Sequence, residues 1–152
     1  MTAATEAAVS PLLLSAFSGA APMTVGVDLA AIGRVRALLA AGTGFTDRVF
    51  RPAEIAYCAG FRDPAPHFAA RFSAKEATLK ALQVGLGLPP ATRRLRDIEV
   101  CRSAGAPRLL LHNRLPALAR RLGITGAAVS LSHDGDYAVA YVLLTAQGAV
   151  ST

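Results

Sequence analysis

The stretch Arg71-Phe72-Ser73-Ala74-Lys75-Glu76-Ala77-Thr78-Leu79-Lys80-Ala81 constrains this chain more than any other. Phe68, Phe72, Leu79 and Leu82 recur at the spacing of one helical face. The spacing predicts the longest helix of the chain, from about Pro66 to Val84. Ala70, Ala74, Ala77 and Ala81 favour a helix and let other backbone come close. At ~100° per residue, Glu76 falls between the Phe72/Leu79 line and the Ser73/Lys80 line, at the border of the buried face. The ordinary reading of Glu76 and Lys80 is an exposed pair one turn apart, worth roughly a few tenths of a kcal/mol. Yet Lys75 and Lys80 are the only lysines, against fourteen arginines. Ammonium groups are compact point charges suited to phosphate contacts or proton transfer.

The flanking segments supply strands and shorter helices. Val25-Gly26-Val27-Asp28-Leu29 reads as a short strand ending in a carboxylate. Residues 31–40 read as a helix carrying Arg34 and Arg36, broken by Gly42 and Gly44. Pro52 opens a short helix through Glu54, Ile55 and Tyr57. Gly85, Gly87, Pro89 and Pro90 end the long helix. Asp97 to Arg102 alternates polar and apolar residues, and Arg108 to His112 returns as the second strand of a hairpin. Asn113 can cap a helix running to Leu122. Ala127 to Ser132 is a strand, His133-Asp134-Gly135-Asp136 a tight turn, and Tyr137 to Leu144 the last strand. This order makes the fold class α+β. One domain spans residues 23–146, with 1–22 expected as a mobile extension and 147–152 as a loose tail.

Charge and cysteine usage narrow the function classes. The 152 residues carry a net charge of +6, which points to an anionic partner. No apolar run approaches the roughly 20 residues that span a bilayer, and residues 1–22 lack the basic start of a secretory signal. Cys58 and Cys101 show no CxxC spacing and read as small buried residues in a reducing compartment, so a cytoplasmic location away from membranes is expected.

Three polar spots interrupt apolar structure: Asp28, Glu76 with Lys80, and Ser132-His133. Two carboxylates suit a hard cation such as Mg²⁺, which keeps waters and completes its shell with substrate phosphates. Taken singly, Asp28 also fits a helix N-cap, and His133 a turn histidine bonded to backbone. His67 and His112 read as surface or turn residues without a role. Whether the three spots meet in space is a matter for the fold and is not given by sequence spacing.

Three blocks in order resemble a known family: Val25 to Leu29, Phe72 to Ala81, and Val129-Ser130-Leu131-Ser132-His133-Asp134. Arg48-Val49-Phe50 before Glu54 and Tyr57, Asp97 to Val100, and Gly105-Ala106-Pro107 fit as well. Over about residues 25–144 the chain resembles the holo-acyl-carrier-protein synthases, the small 4′-phosphopantetheinyl transferases. The resemblance implies a long central helix packed on a small antiparallel sheet. It implies Mg²⁺-dependent transfer of 4′-phosphopantetheine from coenzyme A to a serine of apo acyl carrier protein, as in fatty acid biosynthesis. Carried over, Asp28 and Glu76 hold Mg²⁺, Lys80 pairs with a phosphate, and Glu76 or its water helps deprotonate the serine. Gly85 and His133 lie toward the nucleotide, and Arg34, flanked by Arg36, meets the carrier protein. The family is usually a homotrimer with coenzyme A between subunits. The chain departs from the family pattern at Gln83, where glycine is usual, and at Arg51, where threonine is usual. A competing reading is a non-catalytic arginine-rich module that binds nucleic acid through Arg93-Arg94, Arg96 and Arg120-Arg121. Aromatic residues are only 6% of the chain, which is poor for base stacking, so no nucleic-acid partner is expected.

Overall fold

The computed structural model describes residues 23–82, 94–102 and 105–147. Gly85 and Gln83, the extension 1–22 and the tail beyond Gln147 lie outside the described residues. The elements are β1 (Met23–Ala31), α1 (Ile32–Ala40), α2 (Phe45–Val49), α3 (Pro52–Ala59), α4 (Ala65–Ala81), β2 (Ile98–Arg102), β3 (Pro107–Leu111), α5 (Leu115–Arg121), β4 (Ile124–Asp134) and β5 (Tyr137–Ala146). A 3₁₀ turn, Leu95–Asp97, leads into β2. An antiparallel sheet has the order β1-β5-β4, and β2 and β3 form a separate hairpin.

Helix α4 packs on one face of the sheet, and the small residues of both elements explain how closely. A Cβ on Gly26 would stand 1.9 Å from the Ala77 carbonyl oxygen and 2.9 Å from the Ala81 nitrogen. Only glycine at this strand position lets the helix backbone sit against β1. Ala74, Ala77, Ala138 and Ala140 are all fully buried at this seam. Strand side chains alternate between faces, so Asp28 lies on the same face as Gly26. The apolar core flanks the seam on both sides. Phe50 meets Phe68 edge to face at 4.9 Å and Phe45 at 5.8 Å in one cluster. Leu79, Ile98, Val100, Val142 and Leu144 form the other.

The opposite face of the sheet is apolar yet exposed. Val25, Val27 and Leu29 of β1 are 50%, 52% and 61% exposed, and Tyr137 and Tyr141 of β5 are 53% and 47% exposed. The register pairs Val27 with Tyr141 and Ala31 with Tyr137, so these side chains share one surface. Among the described residues no helix is long and apolar enough to cross a membrane.

Several boundaries differ from expectation for local reasons. Helix α4 begins at Ala65, with its Pro66 in the first turn, and ends at Ala81, earlier than Val84. Asn113 does not cap α5: the N-cap is Arg114, while Asn113 has φ +56° and its Nδ2 donates to Asp97 Oδ1 at 2.6 Å. His133 and Asp134 belong to β4, so the hairpin turn is only Gly135-Asp136, with Gly135 at φ +53°. Helix α2 has no counterpart in the sequence reading: five residues are too few to show a period.

Candidate active site

Residue 28 is brought to α4 by the glycine two positions before it. Lys80 Nζ donates to Asp28 Oδ1 at 2.8 Å and to the Val27 carbonyl at 2.9 Å. The first two sequence blocks therefore meet across 52 positions. Asp28 is not a helix cap: it stands inside β1, opposite Ala140, and the N-cap of α1 is Ala31. Its side chain is 17% exposed, whereas that of Lys80 is 54% exposed, so the ammonium presents its remaining protons to solvent. Glu76 is half-buried, at the border that the helical wheel predicts. It precedes by one residue the helical turn, Ala77 to Ala81, that touches β1.

The two lysines part company. Lys75, also placed beside Glu76 by the sequence, turns into the protein and is fully buried. Its Nζ donates to Glu54 Oε2 at 2.8 Å, to the Leu95 carbonyl at 3.2 Å and to the Ile98 carbonyl. Glu54 also accepts from the backbone N–H groups of Arg51, at 2.9 Å, and Val100, at 3.1 Å. Burial holds the Lys75 ammonium below the usual lysine range, and the Glu54 carboxylate offsets only part of that shift. No solvent-facing ammonium remains on Lys75 to meet a substrate.

His133 lies on the α4 side of the sheet, as Asp28 does. The cross-strand row Asp28, Ala140, Leu131 is followed on the same face by Ala30, Ala138, His133. Strand spacing of ~4.8 Å and a two-residue step of ~7 Å put the two backbones roughly 12 Å apart. His133 lines a cavity of about 300 Å³ with Tyr57, Phe61, His67, Arg71 and Arg102. The Arg71 guanidinium lies 3.9 Å from the Tyr57 ring centre. Arg71 is only 5% exposed, and its Nε has no hydrogen-bond partner among the described residues. Arg102 Nη1 donates to the Tyr57 hydroxyl at 2.8 Å. His67 stacks on Phe61 at 3.5 Å and meets His133 edge-on at 5.7 Å. Burial, then the charges of His133 and Arg71, push the His67 imidazole below the usual histidine range. Two guanidinium groups and two imidazoles thus line one cavity, and guanidinium forks are the groups that match anionic oxygens. The sequence reading found only His133 of this set.

On α1, Arg34 is exposed, and Arg36 makes a two-pronged ion pair with Asp63 at 2.7 and 2.9 Å. Among the described residues no cluster of three or more His, Cys, Asp or Glu side chains could hold a metal alone. Asp28 and Glu76 are hard oxygen donors, and they suit an ion that takes water and substrate oxygens for the rest of its shell.

Comparison with known proteins decides the family. The profile of the 4′-phosphopantetheinyl transferase superfamily matches residues 24–142. The chain belongs to that superfamily. A holo-[acyl-carrier-protein] synthase of Moorella thermoacetica is 43% identical over 123 residues, covering 80% of this chain and 93% of the relative. One from Anaeromyxobacter dehalogenans is 43% identical over 128 residues, covering 82% and 96%. Among solved structures, the Chronobacterium ammoniagenes ACPS-CoA complex superposes with a TM-score of 0.73 at 36% identity, covering 84% of this chain and 99% of that one. The resemblance read from three sequence blocks, and the α+β fold it implied, are both borne out.

Proposed function

We propose that this chain is a holo-[acyl-carrier-protein] synthase. It transfers 4′-phosphopantetheine from coenzyme A to a serine hydroxyl of apo acyl carrier protein and releases adenosine 3′,5′-bisphosphate. The observation that carries this reading is the contact of Lys80 with Asp28, which joins two distant blocks one helical turn from Glu76. Family membership favours it over a nucleic-acid-binding module.

Phosphoryl transfer needs an aligned nucleophile and neutralised oxygen charge more than covalent help. Asp28 and Glu76 are the groups to hold Mg²⁺. When bound, the ion would polarise the phosphoryl group and offset its developing charge. Among the described residues Asp28 Oδ1 accepts from Lys80, and Oδ2 is the oxygen assigned to the metal. The exposed Lys80 head is placed to pair with a phosphate. At an effective dielectric of 20, such a pair at ~4 Å is worth ~4 kcal/mol. Glu76, directly or through one water, takes the serine proton. His133, with Arg71 and Arg102, holds a phosphate of the nucleotide end, and Gly85 is assigned to nucleotide binding by the family resemblance alone. Arg34 receives the acidic carrier protein, and Arg36 steadies its helix through Asp63 and flanks the contact.

The exposed apolar sheet face supports a homotrimer. A contiguous surface of Val25, Val27, Leu29, Tyr137 and Tyr141 is what association of copies would bury. Coenzyme A then binds between neighbouring subunits. The enzyme works in the cytoplasm.

Mass spectrometry of an apo carrier protein incubated with coenzyme A, Mg²⁺ and this protein tests the reading. The expected product is the carrier protein plus one phosphopantetheine, absent with chelator and absent with folded Glu76→Ala. Full activity of that variant would remove Glu76 from the mechanism.

A further inference from the structure

A second basic cavity lies away from the residues assigned to the transfer. It has a volume of about 680 Å³, within the range of small-molecule sites. Its walls come from α2, the residue before α3, the 3₁₀ turn with the residue before it, and Asn113, and they carry Arg48, Arg51, Arg94, Arg96, Asp47 and Asp97. None of Asp28, Glu76, Lys80 or His133 lines it.

The charges in this cavity are poorly compensated from within. Arg94 and Arg96 are exposed and make no ion pair among the described residues. Arg48 Nη1 is turned to a neutral acceptor, the Thr43 carbonyl, at 2.5 Å. The Arg51 Nε is buried without a hydrogen-bond partner among the described residues, and the Glu99 carboxylate stands 3.8 Å off. That carboxylate is shared with His112, whose Nε2 lies 2.8 Å from Glu99 Oε2. Asp97 is occupied by Asn113. Four guanidinium groups against Asp47 and Asp97 on the walls, with Glu99 behind Arg51, leave a formal excess of positive charge in a concave site. Concave low-dielectric walls focus such a field. Planar guanidinium forks match phosphate oxygens two at a time.

We propose that the Arg48/Arg51/Arg94/Arg96 cavity is a second anion site, which binds a small phosphorylated molecule carrying two or more negative charges. It is separate from the coenzyme A cavity at His133. The cavity is open to solvent, with Arg48, Arg94 and Arg96 exposed and Arg51 half-buried between them, and its volume suits a small molecule whose anionic oxygens reach several forks at once.

The test uses the full chain labelled with ¹⁵N-arginine, in 0.15 M salt without divalent ions, titrated with inorganic pyrophosphate. The Nε–H resonances of Arg51, Arg94 and Arg96 should shift in a saturable manner. In Arg94→Ser/Arg96→Ser the affinity read at Arg51 should fall at least tenfold, while His133→Asn leaves it unchanged. The double substitution changes two exposed side chains, and an unaltered melting temperature confirms that the variant is folded. Shifts confined to Arg71 and Arg102, a non-saturating response, or equal affinity in the double variant would overturn the proposal. So would a double variant that binds pyrophosphate normally but shows a raised KM for carrier protein, which would make these arginines a docking surface.

Discussion

Replacement of Lys75 by methionine tests whether a buried ion pair holds the two halves of this fold together. The side chains of Lys75 and Glu54 are 0% and 1% exposed, 2.8 Å apart. Between them they bond to the Leu95 and Ile98 carbonyls and to the Arg51 and Val100 N–H groups. Four segments, α3, α4, the 3₁₀ turn and β2, thus converge on one pair. Lys75→Met keeps the length of the side chain but strands a buried carboxylate and two carbonyls. Loss of one partner from a buried pair costs about 3–5 kcal/mol. For a domain of this size each kcal/mol lowers Tm by roughly 2–4 °C, so a drop on the order of 10 °C is expected. Glu54→Gln should be destabilising as well, since it strands the ammonium. The double variant Lys75→Met/Glu54→Gln should cost less than the two singles added, because neither charge is then left alone. Urea denaturation of the four proteins gives the cycle. Strict additivity, or a Lys75→Met variant within about 0.5 kcal/mol of wild type, the range of ordinary surface changes, would refute the argument.

Gly26→Ala puts a methyl group 1.9 Å from the Ala77 carbonyl oxygen, so β1 and α4 must separate. Overpacking of this kind costs about 1–3 kcal/mol or more, and transfer activity should fall further than stability because Asp28 moves away from Lys80. His67 stays neutral in the folded protein below the 6.5 at which the unfolded chain takes up its proton, so stability should fall as pH drops under that value. In His67→Gln the decline between pH 7 and 5 should be shallower in melting curves; an identical slope removes His67 as the cause. Val27→Lys sets a charge on the exposed sheet face and should yield monomers by light scattering, while a wild-type-like assembly would place the interface elsewhere. Arg34→Glu should raise KM for carrier protein, least so at high salt, and leave KM for coenzyme A nearly unchanged. Unchanged carrier kinetics at low salt would move docking off α1.

Much of the fold was legible because long elements repeat their period. Helix α4 is seventeen residues, and its ends were placed within a few residues from Phe68, Phe72 and Leu79. Where the element was short or its ends depended on other segments, the sequence was silent or misleading. Asn113 looks like a cap by type, but Asp97, sixteen residues back, claims its amide and holds it in a left-handed conformation. The extent of β4 depends on pairing with β5, so His133 could not be told from a turn residue until Ala138 stood opposite it.

The outward apolar residues of β1 carry a different lesson. Alternation alone predicts that Val25, Val27 and Leu29 point to the core and that Gly26 and Asp28 point to water. The structure reverses this, because the close approach of α4 needs glycine and alanine at the seam, and that approach gives Asp28 its lysine. The apolar face is then left for another surface. The same β1 residues therefore meet two conditions at once: even positions face α4 and carry Asp28 to Lys80, and odd positions form an exposed apolar surface. A polarity change at an odd position should accordingly alter assembly before it alters the contact between Asp28 and Lys80. A change at Gly26 should do the reverse.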